Sequence, residues 1–265
     1  MPTPHPCRVL ITGGDSGIGY ELACQFAQAG CHLLLVSENK TGLQQAQVKL
    51  RQGFPAVHVD IFTQDLCLPE GPQQVLDYTK SQGLAIDVLV NNAGVGSYGF
   101  YRDLDPLREQ QMIQLNVVAL EKMTRLFLPQ VLTSTQGGII QLASIAAFQP
   151  VPTMAVYAAT KAFVLHFTKA LCAELREQGY RLPVLAVCPS GTRTPFVERA
   201  GMQGNPLFSN FMAVEAKQVA ARTYRAYRRN CSEVIIPAWL DWLAPIIRRL
   251  PRRLLIWQAR RTLRQ

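Results

Sequence analysis

Along its first half, the chain alternates short runs of uninterrupted apolar residues with longer stretches in which apolar positions recur at helical spacing. Arg8-Val-Leu-Ile, His32-Leu-Leu-Leu-Val and Asp87-Val-Leu-Val are such runs, rich in branched side chains, as expected of strands buried on both faces of a parallel sheet. The pattern predicts strands near 9–12, 31–36, 56–59, 88–91, 138–143, 184–188 and 234–236, with crossover helices between them. Right-handed crossovers then give an α/β fold: one doubly wound, parallel, seven-stranded sheet of Rossmann-like type, whose ligands lie beyond the carboxyl ends of the strands. No internal repeat or low-complexity segment interrupts the pattern before residue 237.

Chain length and composition keep this reading within one domain. A chain of 265 residues is within reach of a single α/β core, and 48% apolar against 17% charged residues supports a packed globule. The net charge of +9 is unevenly placed: residues 237–265 carry seven Arg and one Asp, or +6, which leaves +3 for the rest. A core of 1–236 is therefore expected, followed by a basic amphipathic segment, 237–265. There Trp239, Trp242 and Trp257 stand among paired arginines and prolines. Two readings of that segment stand side by side: a peripheral contact with an anionic lipid surface, or a terminal helix packed on the fold or on a sister subunit. No recognition motif points to nucleic acid.

The seven cysteines form no C-x-x-C pair and no metal-spaced cluster, so reduced thiols and no metal site are expected. The N-terminus lacks the features of a signal peptide, and no apolar stretch is long enough for a transmembrane helix. A cytoplasmic protein, free or membrane-associated, is the expectation.

The chemistry is expected at the strand ends. The first strand runs into Thr12-Gly13-Gly14-Asp15-Ser16-Gly17-Ile18-Gly19 and then a helical segment. Glycines let such a turn approach a pyrophosphate closely, and the helix start presents free N–H groups to it. Asp65-Leu66 follows the third strand region and Asn91-Asn92-Ala93-Gly94 the fourth. Ser144 ends the fifth strand, and Tyr157 and Lys161 stand four apart on one helical face. A phenol with a pKa of about 10 is a poor acid/base at neutral pH unless a cation stabilises its anion, which Lys161 is placed to do.

The Gly-x-x-x-Gly-x-Gly spacing, the Asn-Asn-Ala-Gly segment and Tyr157-x-x-x-Lys161 with Ser144 thirteen positions upstream together resemble the short-chain dehydrogenase/reductase family, over roughly residues 8–237. The resemblance implies an NAD- or NADP-dependent oxidoreductase acting on an alcohol or carbonyl. By the family pattern, Tyr157 is the acid/base, Ser144 holds the substrate oxygen, Lys161 also holds the nicotinamide ribose, and Asn116 supports a water relay to that lysine. Cofactor contacts are implied for Gly13, Asp15, Ser16, Gly17, Ile18, Gly19, Ser37, Glu38, Asp65, Leu66, Asn92, Ala93, Gly94, Tyr157, Lys161, Pro189, Thr192 and Thr194. Ser190 stands where the family usually has glycine.

At the end of the second strand, Ser37-Glu38-Asn39-Lys40 matches neither the usual acidic nor the usual basic pattern that separates NAD from NADP; electrostatics leans to NAD and the choice stays open. Segment 195–213, which forms a substrate lid in the family, contains Phe196, Met202, Leu207, Phe208, Phe211 and Met212. Either these side chains pack on the core or the substrate is a lipophilic small molecule, of fatty-acyl or steroid type. The resemblance also implies a homodimer or homotetramer. A protein that binds the cofactor as a sensor or scaffold, with little turnover, is the alternative; a sugar-nucleotide epimerase is disfavoured by the glycine spacing.

Overall fold

The computed structural model describes residues 6–202 and 213–240. Strands β1 (Arg8–Thr12), β2 (His32–Ser37), β3 (Val59–Thr63), β4 (Val88–Asn91), β5 (Gly138–Leu142) and β6 (Val184–Pro189) alternate with helices α1 (Gly17–Gln28), α2 (Lys40–Gly53), α3 (Gly71–Ser81), α4 (Pro106–Ile113), α5 (Leu120–Thr133) and α6 (Ala155–Glu177). A short ribbon of β7 (Thr192–Arg193) and β8 (Val214–Glu215) flanks α7 (Pro195–Arg199). Helix α8 (Ala216–Arg228) and strand β9 (Glu233–Ile236) follow.

The main sheet is parallel throughout, with strand order β3-β2-β1-β4-β5-β6-β9. Its order reverses between β1 and β4, which opens a crevice at their carboxyl ends. Side chains alternate across the sheet with period two. Val9, Ile11, Leu33 and Leu35 pack on one face with Leu22 and Phe26 of α1 and Val219 of α8, whereas Leu10, Leu34, Leu89 and Ile139 pack on the other with Val75, Met123 and Phe127. At about 25 cal/mol per Å² of apolar surface removed from water, these two layers dominate the stability.

One strand is displaced from its expected place. The Ala-Val-His-Val run at 56–59 predicts a strand there, but residues 55–57 form a turn and β3 begins at Val59. The cause is register: β2 offers Leu33–Ser37 as partners, and Val59–Thr63 fills that whole edge, Leu33 opposite Val59 and Ser37 opposite Thr63. Being an edge strand, β3 tolerates the polar Asp60 and Thr63 that weaken its signal in the sequence. The ribbon of β7 and β8 was likewise not expected from the sequence. Most of the arginine-rich segment, 241–265, lies outside the described residues, as does 203–212 of the expected lid.

Candidate active site

The glycine turn between β1 and α1 is held from below by the end of β4. Thr12 accepts hydrogen bonds at Oγ1 from the backbone N–H groups of Asn92 and Ala93, both at 3.0 Å, and Asn92 Nδ2 donates to the carbonyls of Thr12 (2.9 Å) and Gly13 (3.0 Å). Gly17 has φ 54°, in the left-handed region that favours glycine. A Cβ on Gly19 would lie 2.1 Å from the Gly13 carbonyl oxygen, so the first turn of α1 rests directly on the turn. Ser16 caps α1 in extended backbone without a side-chain cap bond, and Ile18 packs into the core. The uncapped N–H groups and the close backbone approach fit a dinucleotide pyrophosphate.

Beside this turn lies an acidic corner. Asp15 Oδ2 accepts a hydrogen bond from Asn39 Nδ2 at 3.4 Å, and Asn39 in turn caps α2 by accepting from Gly42 N–H at 3.0 Å. Ser37 Oγ accepts from the Asn39 N–H at 3.2 Å, while Glu38 and Lys40 are exposed. Further along the crevice, Asp65 folds back on itself, its carboxylate accepting from Cys67 N–H at 2.7 Å, and Leu66 is buried against β1 and β2.

Tyr157, Ser144, Lys161 and Asn116 converge at the ends of β4 and β5. Ser144 follows β5, starts a short 3-10 turn by accepting from Ala146 N–H (3.1 Å), and acts on the Tyr157 phenol, favouring its anion. Lys161, one turn beyond Tyr157 on α6, donates to the Leu142 carbonyl at 2.8 Å and stands 5.8 Å from the centre of the Tyr157 ring. Asn116 is fully buried within a π-helical segment, Gln114–Ala119, that joins α4 to α5. Such insertions recur at functional sites because they turn a side chain out of the regular helical array. Its Oδ1 accepts from Val95 N–H (3.0 Å) and its Nδ2 donates to the Val95 carbonyl (2.9 Å) and to Thr160 Oγ1 (3.1 Å). A Cβ on Gly94 would lie 3.3 Å from Lys161 Nζ and 3.1 Å from Asn116 Oδ1, so Gly94 passes close over both.

Burial sets the charge state here. It pushes the Tyr157 phenol up to about 12, opposed by the Ser144 hydroxyl, and it brings the Lys161 ammonium down to about 8, opposed by Cys188. At neutral pH the phenol therefore keeps its proton and is an acid ready to donate.

Around the phenol the walls are apolar. Tyr157 packs with Met112, Val151, Met154 and Met202, and the Phe196 ring lies 5.7 Å from the Tyr157 ring. Thr194, two residues before Phe196, touches the glycine turn: a Cβ on Gly17 would be 3.2 Å from its Cγ2. Thr192 and Pro189 approach from the end of β6, where Ser190 N–H donates to the Ile236 carbonyl at 2.7 Å. Ser190 does not have a positive φ, so the backbone accepts a side chain at this position without strain.

Three contributors escape the sequence reading. Thr12 ties the glycine turn to β4, Thr160 links Asn116 to the Tyr157 carbonyl (2.8 Å), and Arg108 donates to the carbonyls of Gly96 and Arg199, joining the loop after β4 to α7. Only Thr12 carried a signal, as the hydroxyl residue directly before the glycine turn.

A family model described as short chain dehydrogenase matches residues 8–205. The chain is 34% identical over 177 residues to the very-long-chain 3-oxoacyl-CoA reductase of Anas platyrhynchos, covering 64% of this chain and 55% of that protein. It is 31% identical over 198 residues to the oxidoreductase UcpA of Escherichia coli, covering 74% of this chain and 73% of that one. Thus the chain spans about half the length of the first of these relatives. A solved short-chain dehydrogenase from Sphingobium yanoikuyae, in complex with NADPH, superposes with a TM-score of 0.79 at 30% identity, covering 93% of this chain and 97% of that one. With a matching family model across most of its length and the glycine turn, Asn92 and the Ser144–Tyr157–Lys161 cluster gathered at one crevice, the chain belongs to the short-chain dehydrogenase/reductase family.

Proposed function

We propose that this protein is an oxidoreductase that moves hydride between a nicotinamide dinucleotide and a carbonyl or alcohol carbon of a lipophilic small molecule, within a catalytic domain of residues 1–236. The observation that carries this is the buried Tyr157 phenol, with the buried Lys161 ammonium 5.8 Å from its ring centre.

The residues present fit the dinucleotide. Gly13, Ser16, Gly17, Ile18 and Gly19 would hold the pyrophosphate, and Asp65 and Leu66 would hold the adenine. Asn92, Ala93 and Gly94 would line the ribose, while Lys161, Pro189, Thr192 and Thr194 would hold the nicotinamide end. When bound, the nicotinamide supplies or accepts the hydride. Tyr157 gives its proton to the developing alkoxide in the reductive direction, and Ser144 orients the substrate oxygen by hydrogen bonding. Lys161, anchored on Leu142, supplies the positive charge that stabilises the phenolate left behind. Asn116 positions this pair by fixing Val95 and Thr160.

The acidic corner favours NAD: Asp15 and Glu38 flank the end of β2, where a ribose 2′-phosphate would meet like charge. The Sphingobium structure holds NADPH, but the choice is decided by local charge, and this corner carries two carboxylates against the single ammonium of Lys40. Met112, Val151, Met154, Phe196 and Met202 support an apolar substrate, in keeping with the fatty-acyl chemistry named for the 3-oxoacyl-CoA reductases. Exposed Leu107, Ile113 and Val118 along α4 and the π segment support a homo-oligomer. The tryptophan- and arginine-rich sequence of 237–265 supports a peripheral lipid contact. Among the described residues no helix is long and apolar enough to cross a membrane.

The test is a panel of 3-oxoacyl thioesters and steroid ketones, with NADH and NADPH consumption followed by absorbance. Tyr157→Phe is expected to lower turnover by about 10²–10⁴-fold with nicotinamide binding retained. Equal turnover by a folded Tyr157→Phe protein would remove the assignment.

A further inference from the structure

Far from Tyr157, at the amino-terminal ends of the strands, two thiols meet. Cys7 immediately precedes β1 and Cys31 immediately precedes β2. Arg8 and His32 are register partners and His32 N–H donates to the Cys7 carbonyl at 2.8 Å, so positions 7 and 31 stand across from one another one step further down the same ladder. Neighbouring strands run about 4.8 Å apart, within the Cα separations of about 4.4–6.8 Å that disulfides span. Both cysteines are free and pack in the same core layer. By contrast, Cys67 is hydrogen-bonded to the Gln111 carbonyl.

The surroundings make the pair unequal. Contact with Cys7 draws the Cys31 thiol down, helped by the Arg228 guanidinium and opposed by burial and Asp87. The same contact raises Cys7, together with burial and the Asp87 carboxylate. The Arg228 guanidinium thus favours Cys31 as the attacking sulfur, and Cys7, half-buried just before β1, as its partner.

We propose that Cys7 and Cys31 form a redox-modification site, converted by a small hydroperoxide into a disulfide between β1 and β2. The Cys31 thiolate attacks one peroxide oxygen, which breaks the O–O bond and leaves a sulfenic acid; the leaving oxygen takes up a proton. The Cys7 sulfur then attacks the sulfenyl sulfur, forming the S–S bond, while the Cys7 proton leaves with the hydroxide as water. For hydrogen peroxide the sum is two thiols and one peroxide giving one disulfide and two waters. The new bond closes a covalent loop around the glycine turn and α1. It limits the unfolded chain and leaves the reacting groups, at the other end of the sheet, untouched.

The test treats the whole protein with hydrogen peroxide, then alkylates it after unfolding and maps its peptides by mass spectrometry. Alkylated cysteines are expected to fall from the seven of the sequence to five, with peptides bearing Cys7 and Cys31 joined, and dithiothreitol should restore all seven. The thermal midpoint of the oxidised protein should rise and its dehydrogenase rate stay unchanged. Cys31→Ser and Cys7→Ser should each abolish the cross-link. Seven alkylated cysteines after treatment, a cross-link at other positions, or sulfinic acid at Cys31 without a cross-link would each overturn the proposal. Mapping of the wild-type protein decides this even if a variant fails to fold.

Discussion

Replacing Asn116 with leucine removes three hydrogen bonds in one step: to the N–H of Val95, to the Val95 carbonyl and to the Thr160 hydroxyl. Leucine has a similar size but offers neither donor nor acceptor, so Val95 keeps its backbone groups at a half-buried position without their partner, whereas Thr160 retains its bond to the Tyr157 carbonyl. At about 1 kcal/mol net for each intramolecular bond, the loss comes to roughly 3 kcal/mol, more if water cannot reach Val95. For a chain of this size a kcal/mol corresponds to roughly 2–4 °C in melting midpoint, which places the fall at roughly 6–12 °C. Asn116→Asp keeps an acceptor for Val95 N–H and loses both donors, and it should fall between leucine and wild type. Scanning calorimetry on the three proteins reads the series, and steady-state rates on the same samples read whether Tyr157 and Lys161 have been displaced. A leucine variant melting within a degree of wild type would show that Val95 and Thr160 do not depend on this amide, and the positioning role given to it would have to be withdrawn.

The close approach at the glycine turn makes Gly19→Ala a severe change, since its Cβ would meet the Gly13 carbonyl at 2.1 Å and Asn92 Nδ2 at 2.5 Å. Nicotinamide fluorescence titration should show binding lost or strongly weakened, whereas Gly53→Ala, with open space around the added carbon, should bind normally. Lys161 titrates near 8 in the fold against 10.5 when free, so between those values the unfolded chain binds more protons and this group's contribution to stability rises with pH. The melting midpoint of wild type relative to Lys161→Met should therefore climb from pH 8 to 10, and a flat difference would contradict the burial of the ammonium. Tyr157 acts in the opposite sense at higher pH: with its folded value near 12 against 10, its contribution declines above pH 10. At the acidic corner, Glu38→Arg should improve NADPH over NADH on the order of tenfold, about 1.4 kcal/mol of charge repulsion relieved near the surface. Paired KM measurements check this, and an unchanged ratio would place the phosphate elsewhere.

Much of this site was legible because its residues are punctuated by strand ends. Apolar runs of three to five residues mark β1, β2, β4 and β6, and wherever such a run stops the next residues face the crevice. Asn92 and the glycine turn are placed in this way by the sequence, and Ser144 by its spacing from Tyr157. β3 was misplaced because an edge strand is only half-buried and its apolar signal is shared with the turn before it. The π segment around Asn116 leaves no periodic mark, since one extra residue in a helical turn barely alters an apolar pattern six residues long. The level of the Tyr157 phenol was equally hidden. Sequence spacing brings a lysine to one face, but how strongly burial opposes it depends on Met112, Met154, Phe196 and Met202, which arrive from separate parts of the chain.

The stretch from Thr194 to Phe196 has one foot on the glycine turn and the other on the phenol's ring. A molecule that lifts Phe196 from Tyr157 also tugs at Thr194, and one that settles against Thr194 steadies Phe196. If the proposed dinucleotide and apolar substrate bind here, they are linked through three residues of backbone, and by thermodynamic reciprocity whatever the first does for the second's affinity the second returns in equal measure.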